Sequence, residues 1–303
     1  GIEKRFDQYL RGVDGTSRRD RVAGHWEDIP IAEAENGADV YTTLDANLLD
    51  ICESNLRKQL QINQAEWGCV VLMEVQTGAI KAMCNLKMGE DGQYYESQNY
   101  AVTRMEPGST FKTLALMAAL DDRKVDFNDS IEVWKAGWKY YGSNHMDAHP
   151  ADTTYSIRQA LAVSSNIALA RIVTDGYDGS AKKFVQKLKR MGVCDSVDYI
   201  IPGADQSKID IPNDTVTISK MAYGYSVELS PLQMAMLYNG IANNGKLITP
   251  VLVTKVQKED DVLEEFESEV IRNSICSDRS LTSLSITDDQ LSLSSTDREH
   301  RID

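Results

Sequence analysis

Residues 113–122, TLALMAALDD, are apolar on nearly every face a helix could present. A helix with no polar side has to be surrounded by other elements, so this run places a helical core in the middle of the chain. The segment leading into it is Glu106-Pro107-Gly108-Ser109-Thr110-Phe111-Lys112, with a serine at the expected helix start and a lysine three residues on. Positions i and i+3 share one helix face, which predicts the Lys112 amine close to the Ser109 oxygen. A lysine at the head of a buried helix has no solvating reason to be there. A serine hydroxyl is a poor nucleophile until a base takes its proton, and a helix N-terminus favours negative charge developing beside it. The pattern reads as an acyl-transfer nucleophile on a rigid support.

Ser-x-x-Lys alone is weak evidence, since about one match is expected by chance in a chain of this length. A second match, Ser180-Ala181-Lys182-Lys183, follows Asp178-Gly179 and precedes KKFVQKLKRM. There Ser180 reads as the N-cap of a basic surface helix. The element that strengthens Ser109 is Ser164-Ser165-Asn166, set between two helical patterns, SIRQALAV and IALARIV. Taken alone it could be a cap pair, and Ser97-Gln98-Asn99 shows the same spacing in a polar loop. Together, Ser109-x-x-Lys112 and Ser164-x-Asn166 resemble the constellation of the penicillin-binding transpeptidases and serine β-lactamases.

Other segments narrow the resemblance to class B, monofunctional penicillin-binding proteins, which are peptidoglycan D,D-transpeptidases. Residues 1–12 (GIEKRFDQYLRG) look like the segment leaving their N-terminal pedestal, and 39–45 (DVYTTLD) like the entry to their transpeptidase domain. Residues 68–83 read as that domain's first hairpin, turning at Gln76-Thr77-Gly78; 227–233 (VELSPLQ) and 241–245 (IANNG) resemble its late helix and loop. The resemblance implies an α+β fold, the serine β-lactamase-like transpeptidase fold, with an antiparallel sheet flanked by helices. It implies three parts: 1–38 as the end of a pedestal and linker, 39–276 as a partial transpeptidase domain, and 277–303 as a tail outside the family. That tail is polar and serine-rich, which reads as disorder.

The family's third motif, Lys-Thr/Ser-Gly, has no counterpart here. The last glycine is Gly245, and Lys135-Ala136-Gly137 has the wrong middle residue and precedes Ser164. The expectation is therefore a truncated or frame-shifted fragment with about half the family sheet, an exposed edge prone to aggregation and little activity of its own.

Lys plus Arg number 32 against 46 Asp plus Glu, a net charge of −14, which argues against nucleic acid and anionic membrane surfaces as partners. No apolar run reaches the roughly 18 residues of a membrane span. The resemblance nonetheless implies a bacterial inner-membrane enzyme whose transpeptidase domain is periplasmic and whose anchor lies outside this chain. The five cysteines are scattered without Cys-x-x-Cys, giving neither a zinc site nor a disulfide framework. Cys69 and Cys84 fall on opposite faces of the expected hairpin. His145 and His149 are spaced i, i+4, but Pro150 and Gly142-Ser143-Asn144 favour a loop, so no metal is expected. No cofactor is expected either.

Along the chain, residues 1–38 look charged and strand-poor, Asp45 caps a helix to about Gln61, and 122–155 read as an irregular aromatic-rich excursion. Residues 156–192 read as helical, 194–217 as loop-like, 231–243 as an apolar helix and 247–256 as one strand. The resemblance implies roles as well. Ser109 is the nucleophile, Lys112 the base, Ser164 the proton carrier and Asn166 the holder of the substrate amide. Substrates are peptidoglycan stem peptides, with β-lactams as mimics and a divisome or elongasome glycosyltransferase as partner. The rivals are a class D-like β-lactamase or sensor and a non-catalytic scaffold of the same fold.

Overall fold

In a computed structural model, residues 1–22, 25–195, 207–212 and 214–276 are described. The tail at 277–303, and half of the 194–217 segment, lie outside the described residues. The helices are α1 (Ile2–Leu10), α2 (Ala46–Asn63), α3 (Lys112–Asp121), α4 (Ile157–Ala162), α5 (Asn166–Gly176), α6 (Ala181–Arg190), α7 (Thr217–Met221) and α8 (Pro231–Ala242). The first strands are β1 (Thr16–Val22), β2 (His25–Ala32), β3 (Asp39–Thr42), β4 (Trp67–Met73), β5 (Ile80–Met88) and β6 (Tyr94–Glu96). Next come β7 (Ser130–Val133), β8 (Trp138–Tyr140), β9 (Ser143–His145) and β10 (Thr153–Ser156). The last are β11 (Leu247–Ile248), β12 (Val253–Lys258), β13 (Asp261–Glu265) and β14 (Val270–Arg272). Two compact units emerge: Gly1–Met105, Cys194–Lys208 and Glu228–Arg272 form one; Glu106–Val193, Ile209–Val227 and the chain from Asn273 form the other.

The first unit is built on the antiparallel meander β4-β5-β6. The hairpin expected around Gln76-Thr77-Gly78 is present, pairing Val70 with Cys84 and Cys69 with Asn85. Cys69 and Cys84 therefore do point to opposite faces, and all five cysteines are free. Asp45 starts α2 by accepting from the Asn47 and Leu48 N–H groups, and the helix runs to Asn63. Its Leu56 and Leu60 pack onto Cys84, Leu86 and Tyr94. Gly68 permits that approach, since a Cβ there would stand 2.9 Å from Leu60 Cδ2. The Tyr94 hydroxyl donates to the Leu60 and Ala65 carbonyls, closing the helix end onto the sheet.

A second sheet, β13-β12-β3, lies under α1, with Phe6, Ala38, Val253 and Val256 as its shared core. Thr43 ties the two sheets, donating to the Ile80 carbonyl at 2.7 Å and to the Val251 carbonyl at 2.9 Å. The single strand expected over 247–256 is split into β11 and β12, because Pro250 has no N–H to continue a ladder. The motif VELSPLQ has a structural reason: Ser230 and Gln233 form a capping box with Pro231 in the first turn of α8.

The strand-poor reading of residues 1–38 is corrected. β1 and β2 form an antiparallel hairpin pairing Arg18 with Ile29 and Arg19 with Asp28. β2 is exposed along its whole length, so no face is buried and the apolar alternation that reveals strands is missing.

The second unit is centred on α3, whose residues 114–119 are all buried. Residues 122–155 are more ordered than the sequence suggested: β7 pairs with β10, and β8 with β9. Their aromatics serve packing. Trp138 stacks on Tyr140 at 5.2 Å between ring centres, and the Arg171 guanidinium lies 4.8 Å over the Trp134 ring. Ser180 does cap α6, and the helix exposes Lys182, Lys183, Gln186, Lys189 and Arg190 while burying its other face. Phe184, Val185 and Leu188 are fully buried, and Lys187 pairs inside with Asp121 and Asp122. Truncating the α2 anchor, Leu60→Ala, is expected to cost about 3 kcal/mol of unfolding free energy in urea denaturation, by loss of burial and an unfilled cavity.

Candidate active site

The chain enters the site through Gly108, whose φ of +57° turns it into a 3-10 turn over Gly108–Phe111 that runs directly into α3. The Thr110 hydroxyl donates to the Pro107 carbonyl at 2.7 Å, and the fully buried Phe111 pins the turn to the core. Ser109 is thereby left exposed at the mouth of the helix, and Lys112, one turn on, is 1% exposed.

The interior lysine finds its partners on the turn between α4 and α5. Its Nζ donates to the Ser164 carbonyl at 2.5 Å and to Ser164 Oγ at 2.9 Å. Ser164 can offer both oxygens because its φ is +54°, a left-handed conformation uncommon for a residue with a Cβ. Burial pushes the Lys112 ammonium down to about 8 from its ordinary 10.5, and the negative charge of Asp147 opposes that fall. The sequence placed the amine against Ser109; the structure gives its hydrogen bonds to Ser164.

The rest of the turn is fixed from the segment after β9. Ser165 caps α5 by accepting from the Ala168 N–H, and donates its own hydroxyl to Asp147 Oδ2 at 2.8 Å. Asp147 Oδ1 accepts the Ile167 N–H at 3.0 Å, and the Asn166 amide donates to the Met146 carbonyl at 2.8 Å. The two histidines of this segment part company. His149 is exposed, whereas His145 is buried with one ring nitrogen 2.8 Å from the Tyr223 hydroxyl and the other 3.1 Å from Ser219 Oγ. Ser219 donates to the Val216 carbonyl, so His145 Nε2 carries the proton toward Ser219 and Nδ1 accepts from Tyr223. Burial pushes the His145 imidazolium down, in keeping with a neutral ring.

The loop after α7 supports the serine from behind. The Gly108 N–H donates to the Gly224 carbonyl at 3.2 Å, and Glu106 accepts the Ser226 N–H at 2.8 Å. Gly224 has φ +86°, and a Cβ on it would stand 2.0 Å from the Gly108 carbonyl oxygen. Sequence reasoning found Ser109, Lys112, Ser164 and Asn166 but missed Asp147, Ser165, Tyr223 and Gly224. Asp147 lies between two histidines whose spacing raises metal binding first. Gly224 lacks any local sign, because its constraint comes from a residue more than a hundred positions away.

Comparison with known proteins follows the same lines. Residues 68–285 match the penicillin binding protein transpeptidase domain. A probable peptidoglycan D,D-transpeptidase PenA of Neisseria flavescens is 26% identical over 261 residues, covering 82% of this chain and 64% of that protein. The peptidoglycan D,D-transpeptidase FtsI of Escherichia coli K12 is 26% identical over 286 residues, 90% of this chain and 47% of that one. The chain thus spans between about half and two thirds of these relatives. Penicillin-binding protein 2X of Streptococcus thermophilus superposes with a TM-score of 0.77 at 19% identity over 93% of this chain and 43% of that one. Penicillin-binding protein 3 of Mycobacterium tuberculosis, solved with aztreonam, gives 0.76 at 21% over 93% and 61%. These structures show a shared fold.

The contact between Gly224 and Gly108 can be tested against a glycine of similar φ in the same unit. Gly142, at φ +85°, has nothing within 4 Å of the place a Cβ would take. Gly142→Ala is expected to cost about 1 kcal/mol of stability for the left-handed backbone alone. Gly224→Ala should cost clearly more by thermal unfolding, since backbone must move.

Proposed function

The chain belongs to the penicillin-binding protein transpeptidase family, and from that membership we propose that it carries the acylating machinery of a peptidoglycan D,D-transpeptidase. The observation that carries this reading is a fully buried lysine, hydrogen-bonded to the Ser-x-Asn serine, one helical turn from an exposed serine. A neutral Lys112 accepts the Ser109 proton, directly or through Ser164, as Ser109 Oγ attacks the penultimate D-Ala carbonyl of a stem peptide. The Ser109 N–H, at the start of the 3-10 turn, serves the developing oxyanion. Collapse breaks the amide bond, and the proton passes back through Ser164 to the leaving amine of the terminal D-Ala. An acceptor amine on a second stem then attacks the ester and frees Ser109, forming the cross-link. Asn166, anchored on the Met146 carbonyl, stands to hold the substrate amide.

β-Lactams acylate the same serine because they present a strained amide in the place of that peptide. Residues 1–38 are read as the close of a pedestal domain and 39–276 as part of the transpeptidase domain. In this reading the site works outside the cytoplasmic membrane, tethered by a segment beyond this chain. Among the described residues no helix is long and apolar enough to cross a membrane. The 303 residues contain no Lys-Thr/Ser-Gly triplet, which in the family lines the site with a strand and a second oxyanion donor. One such donor is worth about 10²–10³ in rate.

The test is labelling with a fluorescent penicillin, using this chain and one extended through a Lys-Thr/Ser-Gly strand. The extended chain is expected to label faster by at least about 10²-fold, and Ser109→Ala to abolish labelling in both. Lys112→Ala should slow it by about 10²–10⁴-fold, the usual worth of a general base. Failure of a folded extended chain to label would falsify the acyl-transfer reading, and steady turnover of the antibiotic would move it to a β-lactamase. The labelling rate should also rise with pH and level off above about 8, because it is the neutral form of Lys112 that accepts the proton, and that form gains as pH passes the lowered value. A rate flat between pH 6 and 9 would remove Lys112 from the base role.

A further inference from the structure

We propose that Asp147 is the positioning residue of this site: it ties down the Ser164-Ser165-Asn166 turn and supplies the negative charge that lets Lys112 hold the serine proton. The inference rests on the acyl-transfer reading above and extends it to a residue that reading did not require.

The geometry is a short relay. Asp147 uses one carboxylate oxygen for the Ser165 hydroxyl and the other for the Ile167 N–H, while the neighbouring Met146 carbonyl takes the Asn166 amide. Residues 165, 166 and 167 are thus each held by a two-residue segment, and the carboxylate meets the N-terminus of α5, where negative charge is favoured. That segment is itself fixed, because His145 just before it is buried between Tyr223 and Ser219. Ser164 heads the same turn in a left-handed conformation. Such a conformation persists only where the surroundings over-determine it, and these bonds immediately C-terminal to it supply that constraint.

The electrostatic half follows from what surrounds Lys112. Its hydrogen-bond partners are neutral, a serine hydroxyl and a backbone carbonyl. Glu106, on the entry loop, is engaged by the Ser226 N–H. Asp121 and Asp122, at the far end of α3, face Lys187 and Arg190 on α6. Asp147, on the loop after β9, is the charge whose field acts on Lys112, and it favours the protonated amine. A base buried with no such charge becomes neutral easily but binds the transferred proton weakly. A base fully paired stays protonated and cannot accept one. Burial and Asp147 pull in opposite directions, and the amine is left between those limits.

The test is a lysine-selective ¹³Cε NMR titration of the 303-residue chain, with Lys112→Arg used only to assign the Lys112 signal. In Asp147→Asn the Lys112 midpoint is expected to fall by on the order of one pH unit. In Ser165→Ala, which breaks the tie but keeps the charge, the midpoint should stay in place. The rising limb of penicillin labelling should move to lower pH in Asp147→Asn and keep its position in Ser165→Ala, with a reduced plateau in both. If the Asn variant does not fold, Asp147→Ser reads the same loss of charge. A Lys112 midpoint unmoved in a folded Asp147 variant overturns the proposal. Because the titration needs no acylation, it separates the two readings. A shifted midpoint in a protein that never labels supports the coupling while the transpeptidase reading falls. Normal labelling with an unmoved midpoint sinks the coupling alone.

Discussion

A lysine amine held out of water is the constraint around which the second unit is organised. Lys112 could sit on a surface helix at no cost, but here it heads a helix whose next turns are wholly buried, so its charge must be met inside the protein or given up. Ser164 meets it with two oxygens, and can do so only by adopting a backbone conformation that a serine normally avoids. That conformation calls for a capped α5, the cap calls for Asp147, and Asp147 calls for a fixed segment behind it. Each polar group near the lysine is accounted for by the one before it. The site is a chain of satisfied hydrogen bonds that ends at the Lys112 amine, one helical turn from the exposed Ser109.

The serine side is held by a different kind of force. Gly108 and Gly224 meet backbone to backbone, with no side chain between them, so the position of Ser109 is set by steric exclusion as much as by bonding. Rigid placement of this sort is what acyl transfer requires, since the attacking oxygen must already lie near its trajectory when the substrate arrives. The exposed serine and the buried lysine are thus positioned independently, one by packed glycines and the other by a polar network. The resting hydrogen bonds of the amine go to Ser164, which suits a residue that relays a proton.

How much of this could be read in the sequence differs by element. The α2 helix, the β4-β5 hairpin and helices α4, α5, α6 and α8 were legible because each carries its own periodicity or cap, such as Asp45 or the Ser156 and Ser230 boxes, whereas the short α7 was not. Ser109, Lys112, Ser164 and Asn166 were legible because they recur at fixed spacing. The β1-β2 hairpin was hidden because strands with no buried face have no reason to alternate. The short strands between residues 130 and 156 were hidden because their pairing depends on partners brought together by the fold. Asp147 and Gly224 were missed for a related reason: an acidic residue in a loop and a glycine after a tyrosine look ordinary until the fold puts Ser165 and Gly108 beside them. Within the basic helix α6 one lysine departs from the surface reading, since Lys187 turns inward to Asp121 and is not solvated.

The central claim is that one hydroxyl, and no other, is activated by this arrangement. The most direct measurement is mass-spectrometric mapping of the covalent adduct left by a β-lactam on the chain extended through a Lys-Thr/Ser-Gly strand. This account predicts one acyl group per chain, on the peptide that contains Ser109. Ser164, read here as a proton relay, and Ser180, which shares the same Ser-x-x-Lys spacing but caps a helix, should be unmodified. An adduct on either of those serines, or none on Ser109 in a folded protein, would contradict it.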